Sequence, residues 1–308
     1  MKKFYVILTS LSILIFCACS SDTEDLKQQT IVPVEVTLNG LDIAVQPDAF
    51  SSQRNMRATA SEVGVTRIAF KVYDSNGKEV YKEEKYSGTD EDFDHVKMPL
   101  HVGKYTFVAV AHKARITESS VANITSATEA SLPELYIPSV TYATKMDVEV
   151  KGNTSQSVTM NFGKRITATF RLAVTDTYPD DVEKIQITSD STKDAAKTPY
   201  AFNPTTGLAP TELSYTVEFL RSNAQSNNFT GKKQSLVVFL TAEEQTADIL
   251  INMLNAKNEV LYTRTLHNVP LRQHGTTTAT GTFFTSSVTG DFTFDNTNDP
   301  EVNIPLKE

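Results

Sequence analysis

Apolar and polar residues take turns along much of this 308-residue chain. Val32, Val34, Val36 and Leu38 alternate with Pro33, Glu35, Thr37 and Asn39. Ile68, Phe70 and Val72 alternate with Arg67, Ala69 and Lys71, and Asp74-Ser75-Asn76-Gly77 then turns the chain back through Val80 and Tyr81. A period of two puts successive apolar side chains on one face of a strand, and Asn-Gly supplies the positive φ angles of a tight hairpin. The cleanest one-face set is Ile166, Ala168, Phe170, Leu172 and Val174, opposite Arg165, Thr167, Thr169 and Arg171. Further strands are predicted over residues 105–112, 213–219, 236–240, 249–254 and 260–265, with strand character again at 292–294 and 302–306. Only residues 119–130 and 179–184 suggest helix, and both stretches are short.

Many short strands parted by Gly, Pro, Asn and Asp clusters predict an all-β chain of sandwich architecture. Residues 151–157, Lys-Gly-Asn-Thr-Ser-Gln-Ser, hold no apolar side chain and read as a polar turn. A boundary shortly after it, near Asn161 to Lys164, divides the chain into two tandem β-sandwich domains, residues 31–163 and 164–308. Each is of ordinary domain size.

The first residues follow another rule. Lys2 and Lys3 precede an apolar run from Phe4 to Phe16, which ends at Phe16-Cys17-Ala18-Cys19. A charged start, a short apolar run and a small residue before cysteine are the layout of a secretory signal, and the run is too short to span a bilayer. Its ending resembles a bacterial lipobox, which makes residues 1–18 the expected signal peptide and Cys19 the expected lipidation site. Residues 19–30, with Asp22, Glu24 and Asp25, read as an acidic tether. That cluster is either solvated linker or, by resemblance, the signal that routes some Bacteroidetes lipoproteins to the outer face of the outer membrane.

Charge narrows the partners. The net charge is -8, and removing residues 1–18 takes away two lysines and no acids, leaving -10. An acidic chain has no concentrated basic face for nucleic acid. It is also repelled by an anionic membrane, so attachment to the outer membrane falls to the lipid, at roughly 0.8 kcal/mol per buried methylene. With Cys17 in the signal and Cys19 acylated, the mature fold has no thiol for a disulfide, a metal site or a nucleophile.

A search for catalytic chemistry finds little to hold. His95, His101, His112, His267 and His274 show no zincin spacing, and no nucleophile elbow, phosphate loop or dinucleotide fingerprint is present. Asp90-Glu91-Asp92-Phe93-Asp94 has the opening of a calcium loop, but His95 and His101 stand where Gly and Glu are required. Asp295-Asn296-Thr297-Asn298-Asp299 offers hard oxygens, as either a plain turn or a weak cation site. Paired glycosidase carboxylates are a matter of spatial separation, and nothing here singles out a pair. The expectation is a non-enzyme with no metal and no cofactor.

Three segments resemble the fimbrillin superfamily, the subunits and anchors of type V pili in Bacteroidetes. Gly103-Lys104-Tyr105-Thr106-Phe107-Val108-Ala109 resembles the G-x-Y-x-F-x-A strand of the first fimbrillin domain. Gly163-Lys164-Arg165-Ile166-Thr167-Ala168-Thr169-Phe170 resembles the arginine-bearing strand that opens the second. Asn268-Val269-Pro270-Leu271-Arg272-Gln273-His274-Gly275-Thr276-Thr277-Thr278 resembles an N-V-P-L-x-x-N-x-x-T segment, with His274 in place of the usual asparagine.

The resemblance implies two transthyretin-like sandwiches, a lipoprotein route to the cell surface, and polymerisation with other pilin subunits by strand exchange. In that family a protease cuts after an arginine and removes the first strand, which here is the one bearing Val32, Val34, Val36 and Leu38. Arg57, and second Arg54, lie in a Ser-, Asn- and Ala-rich stretch before the next strand, either as the cut site or as solvated loop arginines. Val302, Ile304 and Leu306 alternate near the C-terminus as either a donor segment or an edge strand guarded by Pro305. Asp190-Ser191-Thr192 resembles a Bacteroidetes O-glycosylation acceptor at Ser191. The leading expectation is a pilus subunit or anchor in fimbrial adhesion. The alternative is a monomeric glycan-binding surface lipoprotein meeting a host receptor or glycan, although tryptophan is absent.

Overall fold

A computed structural model describes residues 30–41, 64–113, 120–133, 140–152, 154–196, 200–221, 229, 231–284 and 293–298, the last group by backbone alone. Among the described residues the fold is all-β, built as packed sheets. The first nine strands are β1 (Ile31–Asn39), β2 (Arg67–Asp74), β3 (Glu79–Tyr86), β4 (His95–His101), β5 (Gly103–His112), β6 (Asn123–Ser126), β7 (Glu129–Leu132), β8 (Thr141–Val150) and β9 (Gln156–Asn161). They are followed by β10 (Ala168–Val174), β11 (Lys184–Ser189), β12 (Tyr200–Phe202), β13 (Thr216–Leu220), β14 (Lys233–Val238), β15 (Glu244–Leu254), β16 (Val260–Arg272), β17 (Gly275–Gly281) and β18 (Thr293–Asn298).

One pairing scheme occurs twice. β1 pairs antiparallel with β4 and parallel with β9, and β10 pairs antiparallel with β14 and parallel with β17. The facing sheets run β3-β2-β5-β8 and β13-β11-β15-β16. Three additions break the repeat: the β6–β7 hairpin, β12 that pairs with β7, and β18 that pairs with β17.

Alternation explains the first core. Val32, Val34, Val36 and Leu38 of β1 face Ile68, Phe70 and Val72 of β2 and Phe107, Ala109 and Ala111 of β5. The other faces of β2 and β5 are covered as well, since Ala69, Tyr73, Val108 and Val110 belong to a second cluster with Phe170, Ile185, Ile187 and Phe202. Strands buried on both faces lose the polar half of their alternation, as residues 107–111 do. Arg67 and Ala69, which the pattern places on a polar face, are buried too.

Among the described residues, neither stretch that suggests helix forms one. Residues 123–132 are the β6–β7 hairpin, and Tyr73 Oη on β2 donates to the Ile124 carbonyl at 3.3 Å. Partners in β2 and β12 override a weak local preference that the β-branched Ile124, Thr125 and Thr128 already oppose. Near residue 180 the Val182 amide closes a turn on Pro179 O at 3.2 Å, and the Glu183 amide is taken by Leu254 O at 2.8 Å, so the chain enters β11.

Gly207 has no room for a side chain. Its φ is +71°, and a Cβ there would lie 2.5 Å from both Gln273 Nε2 and Ile166 Cβ. Gln273 Nε2 itself donates to Thr206 O at 2.9 Å. Gly207→Ala should lower stability by at least about 1 kcal/mol from the backbone alone, with the displacement of Ile166 added. A thermal melt showing a midpoint within 1 °C or so of the parent would contradict this.

Candidate functional site

β1 is the middle strand of its sheet, and its backbone is bound on both sides. Leu38 N donates to Asp94 O at 2.8 Å and Thr30 O accepts from Val102 N at 3.1 Å, so even-numbered residues direct their amides and carbonyls toward β4. Asn39 O accepts from Phe162 N at 2.9 Å, so odd-numbered residues direct theirs toward β9. Two prolines fit this parity. Pro33 lies opposite Pro99, a pairing that needs no exchange of amides, and Pro99 on the edge strand β4 turns its nitrogen away from the sheet. The missing donor of Pro33 falls just before the β1–β9 register, which begins at Val34.

The side chains of β1 divide cleanly. Val32, Val34, Val36 and Leu38 are all at most 2% exposed. Fully burying four such groups stabilises the fold by about 6–12 kcal/mol, comparable to the whole net stability of an ordinary domain. On the other face the Glu35–Lys97 pair, 3.5 Å apart and well exposed, adds at most about 1 kcal/mol. β1 is therefore held by its two ladders and its apolar face. It ends at Gly40, whose φ of +84° lets it approach the Phe162 carbonyl so closely that a Cβ would lie 2.5 Å from that oxygen.

The structure thus gathers Val32, Val34, Val36 and Leu38 into one slot between β4 and β9. Cys19, Arg54, Arg57, Val302, Ile304 and Leu306 lie outside the described residues. Ser191 sits exposed in the turn after β11, beside Asp190 at φ 42°, whose Oδ1 accepts from Thr192 Oγ1 at 2.5 Å. The acidic run after β3 is spent locally: Asp90 Oδ2 accepts from the Tyr86 amide at 2.6 Å and Asp94 Oδ1 lies 2.8 Å from His95 Nδ1. Among the described residues no group of three or more His, Cys, Asp and Glu gathers to hold a metal. No helix among them is long and apolar enough to cross a membrane.

Two residues of the repeated scheme do work that the pattern did not reveal. Arg165 is buried, and its guanidinium donates to Thr169 Oγ1 at 3.0 Å and Thr276 Oγ1 at 2.9 Å, residues paired across β10 and β17. His274 adopts φ 68°, and its Nδ1 meets the Arg165 carbonyl. A left-handed backbone favours asparagine there. His274→Asn should therefore fold with a melting midpoint equal to or above the parent's, whereas a β-branched His274→Val should melt several degrees lower.

A second surface lies on the outer face of the sheet β13-β11-β15-β16. Thr263 Oγ1 donates to Asn252 Oδ1 at 2.8 Å, Asn252 Nδ2 to Gln186 Oε1 at 3.3 Å, and Gln186 Nε2 to Glu218 Oε1 at 3.0 Å. This chain of polar groups crosses four strands in register. Glu218 and Thr263 at its ends are exposed, Gln186 and Asn252 are half-buried, and none of the four is aromatic.

A family model for a family of unknown function, DUF6562, matches residues 32–307. The chain belongs to this family. In the DUF6562 chain the matched span takes in the slot strand from Val32 onward, both occurrences of the pairing scheme and the C-terminal Val302, Ile304 and Leu306, and leaves out Cys19. No curated protein matches the sequence. Among solved structures it is similar to a DUF1812 chain of Bacteroides thetaiotaomicron, a candidate polysaccharide-binding protein, at 13% identity and TM-score 0.48 over 82% of this chain and 91% of that one. It is also similar to the tip fimbrial protein Mfa3 of Porphyromonas gingivalis, at 11% identity and TM-score 0.43 over 87% and 99%. A fimbrial assembly protein of Parabacteroides distasonis stands at 9% identity and TM-score 0.38 over 87% and 96%. Each is a distant likeness.

Proposed function

We propose that this chain is a structural subunit or anchor of a cell-surface pilus, joined to its neighbours by exchange of its first strand and supporting adhesion, with no catalytic role. The observation that carries this reading is the place of β1. It is an apolar strand at the centre of a sheet, and a long stretch of chain containing Arg54 and Arg57 separates it from β2. A cut after Arg57, with Arg54 as the second choice, frees β1 from everything but its ladders and its buried face. Its departure leaves two rows of unpaired backbone groups and four apolar pockets, which a strand from another copy fills with the same two kinds of contact. Acyl chains on Cys19 hold the uncut chain at the outer membrane. The proposed division into residues 31–163 and 164–308 falls in the link between β9 and β10.

N-terminal sequencing of polymer taken from cells tests the reading. A new terminus at Ala58 is expected, and Arg54→Ala with Arg57→Ala should abolish strand-exchanged polymer. Polymer whose chains still begin at Cys19 would overturn strand exchange at β1. The outer-face ladder of Thr263, Asn252, Gln186 and Glu218 favours a second reading, in which a glycan lies across β13-β11-β15-β16. Binding of neutral polysaccharide lost in Gln186→Ala/Asn252→Ala, with polymerisation intact, would support it.

A further inference from the structure

Every long edge strand in the described fold carries a charge or a proline except one. β3 has glutamates and lysines, β4 has Lys97 and Pro99, β8 has Lys145, Asp147 and Glu149, β13 has Glu218, β14 has Lys233, β16 has Arg264, Pro270 and Arg272, and β18 has Asp295. β6 and β12, also at an edge, are only four and three residues long. β9, Gln-Ser-Val-Thr-Met-Asn, has six residues, no charge, no proline and no bulge in its register with β1. Charge, proline, bulges and brevity are the devices that keep sheet edges from pairing with other chains, and β9 lacks all of them.

The open side of β9 is well defined. Phe162 N donates to Asn39 O, so even-numbered residues of this segment face β1 and the amides and carbonyls of Ser157, Thr159 and Asn161 point away from the sheet. The side chains of Ser157, Thr159 and Asn161 are exposed. Among the described residues no strand pairs with that side. The equivalent edge in the second occurrence of the scheme, β17, is covered by β18 in antiparallel pairing.

We propose that the β9 edge pairs antiparallel with β9 of a second copy of this chain, joining two copies side by side. A strand edge paired about a two-fold axis is complementary to itself. With Thr159 on the axis and Ser157 opposite Asn161 of the other copy, the outward groups of three pairs exchange about six backbone hydrogen bonds. Charge selects this edge over the others. Copies of a chain with net charge -8 repel one another, and β9 is the long edge at which identical strands meet without opposing charged side chains. The contact is independent of strand exchange at β1, which joins copies through the slot rather than along its open side.

The test is sedimentation of the full chain across a concentration series, with hydrogen exchange at Ser157, Thr159 and Asn161. The average mass should rise from one chain towards two as concentration rises, and exchange at those three amides should slow in parallel. Thr159→Lys, which sets like charges opposite each other, should stay a single chain with an unchanged melt. Thr159→Glu alone should do the same, and an equimolar mixture of the two variants should restore the doubled mass. A parent that remains a single chain at every concentration overturns the proposal. So does association that survives Thr159→Lys undiminished. So too does protection of the β9 amides that is independent of concentration and vanishes on deleting residues 299–308, since the edge would then belong to the chain's own end.

Discussion

A chain that begins at Ala58 should fail to hold its fold as an isolated molecule, and a peptide spanning Ile31–Asn39 should restore it. Removal of β1 takes away four side chains that are at most 2% exposed and leaves β9 without its one described partner. The loss of apolar burial alone is about 6–12 kcal/mol, enough to cancel the net stability of an ordinary domain. The slot should be specific to the pattern. A peptide with Val36→Asp puts a carboxylate into the apolar core and should bind about 100-fold more weakly or worse, whereas Glu35→Gln on the exposed face should change affinity little. Circular dichroism of the truncated chain, titrated with each peptide, measures all three. A truncated chain that melts like the parent without any peptide would mean β1 is not needed by the fold, and strand exchange would lose its driving force.

Stability should fall steeply as pH drops from about 6.5 to about 4. His112 ends β5 fully buried, opposite Arg67 of β2 and Thr141 of β8. Burial lowers its pKa from 6.5 to about 4, the nearby Arg67 cation also lowers it, and a bond with the Lys113 backbone partly opposes them. A depressed histidine pKa means that the unfolded chain takes up a proton which the folded chain refuses. There is no penalty above pH 6.5; it grows as pH falls and levels off once the folded pKa is passed. The full difference is about 3 kcal/mol. Denaturant midpoints at pH 7, 5.5 and 4.5 should show this slope, and His112→Gln should flatten it relative to the parent. Equal slopes in parent and variant would remove His112 as the cause.

The strand that fills the slot was legible from its own residues, but its walls were not. Val32, Val34, Val36 and Leu38 alternate without interruption, and all four enter one core. β4 and β9 carry weak sequence signals for different reasons. β4 alternates Val96, Met98 and Leu100, but Pro99 and two histidines obscure the pattern, and β9 contributes only Val158 and Met160 to its inner face. The stretch that becomes β6 and β7 looked weakly helical, because its strands are short and are completed by partners far away in the sequence. Arg165 reads as one polar position of an alternating strand, and only the pairing of Thr169 with Thr276 shows why a buried cation sits there.

What the sequence determined by itself was the class of fold and one buried face of each clearly alternating strand, because both follow from a period of two and from local turn residues. Which strands lie side by side, that one pairing scheme occurs twice, and that among the described residues β1 has a strand on both flanks while β9 has one on a single flank were decided only by the tertiary structure. Hydrogen-bond ladders join residues far apart in the chain, such as Leu38 with Asp94, and nothing in the local pattern records which carbonyl an amide will meet.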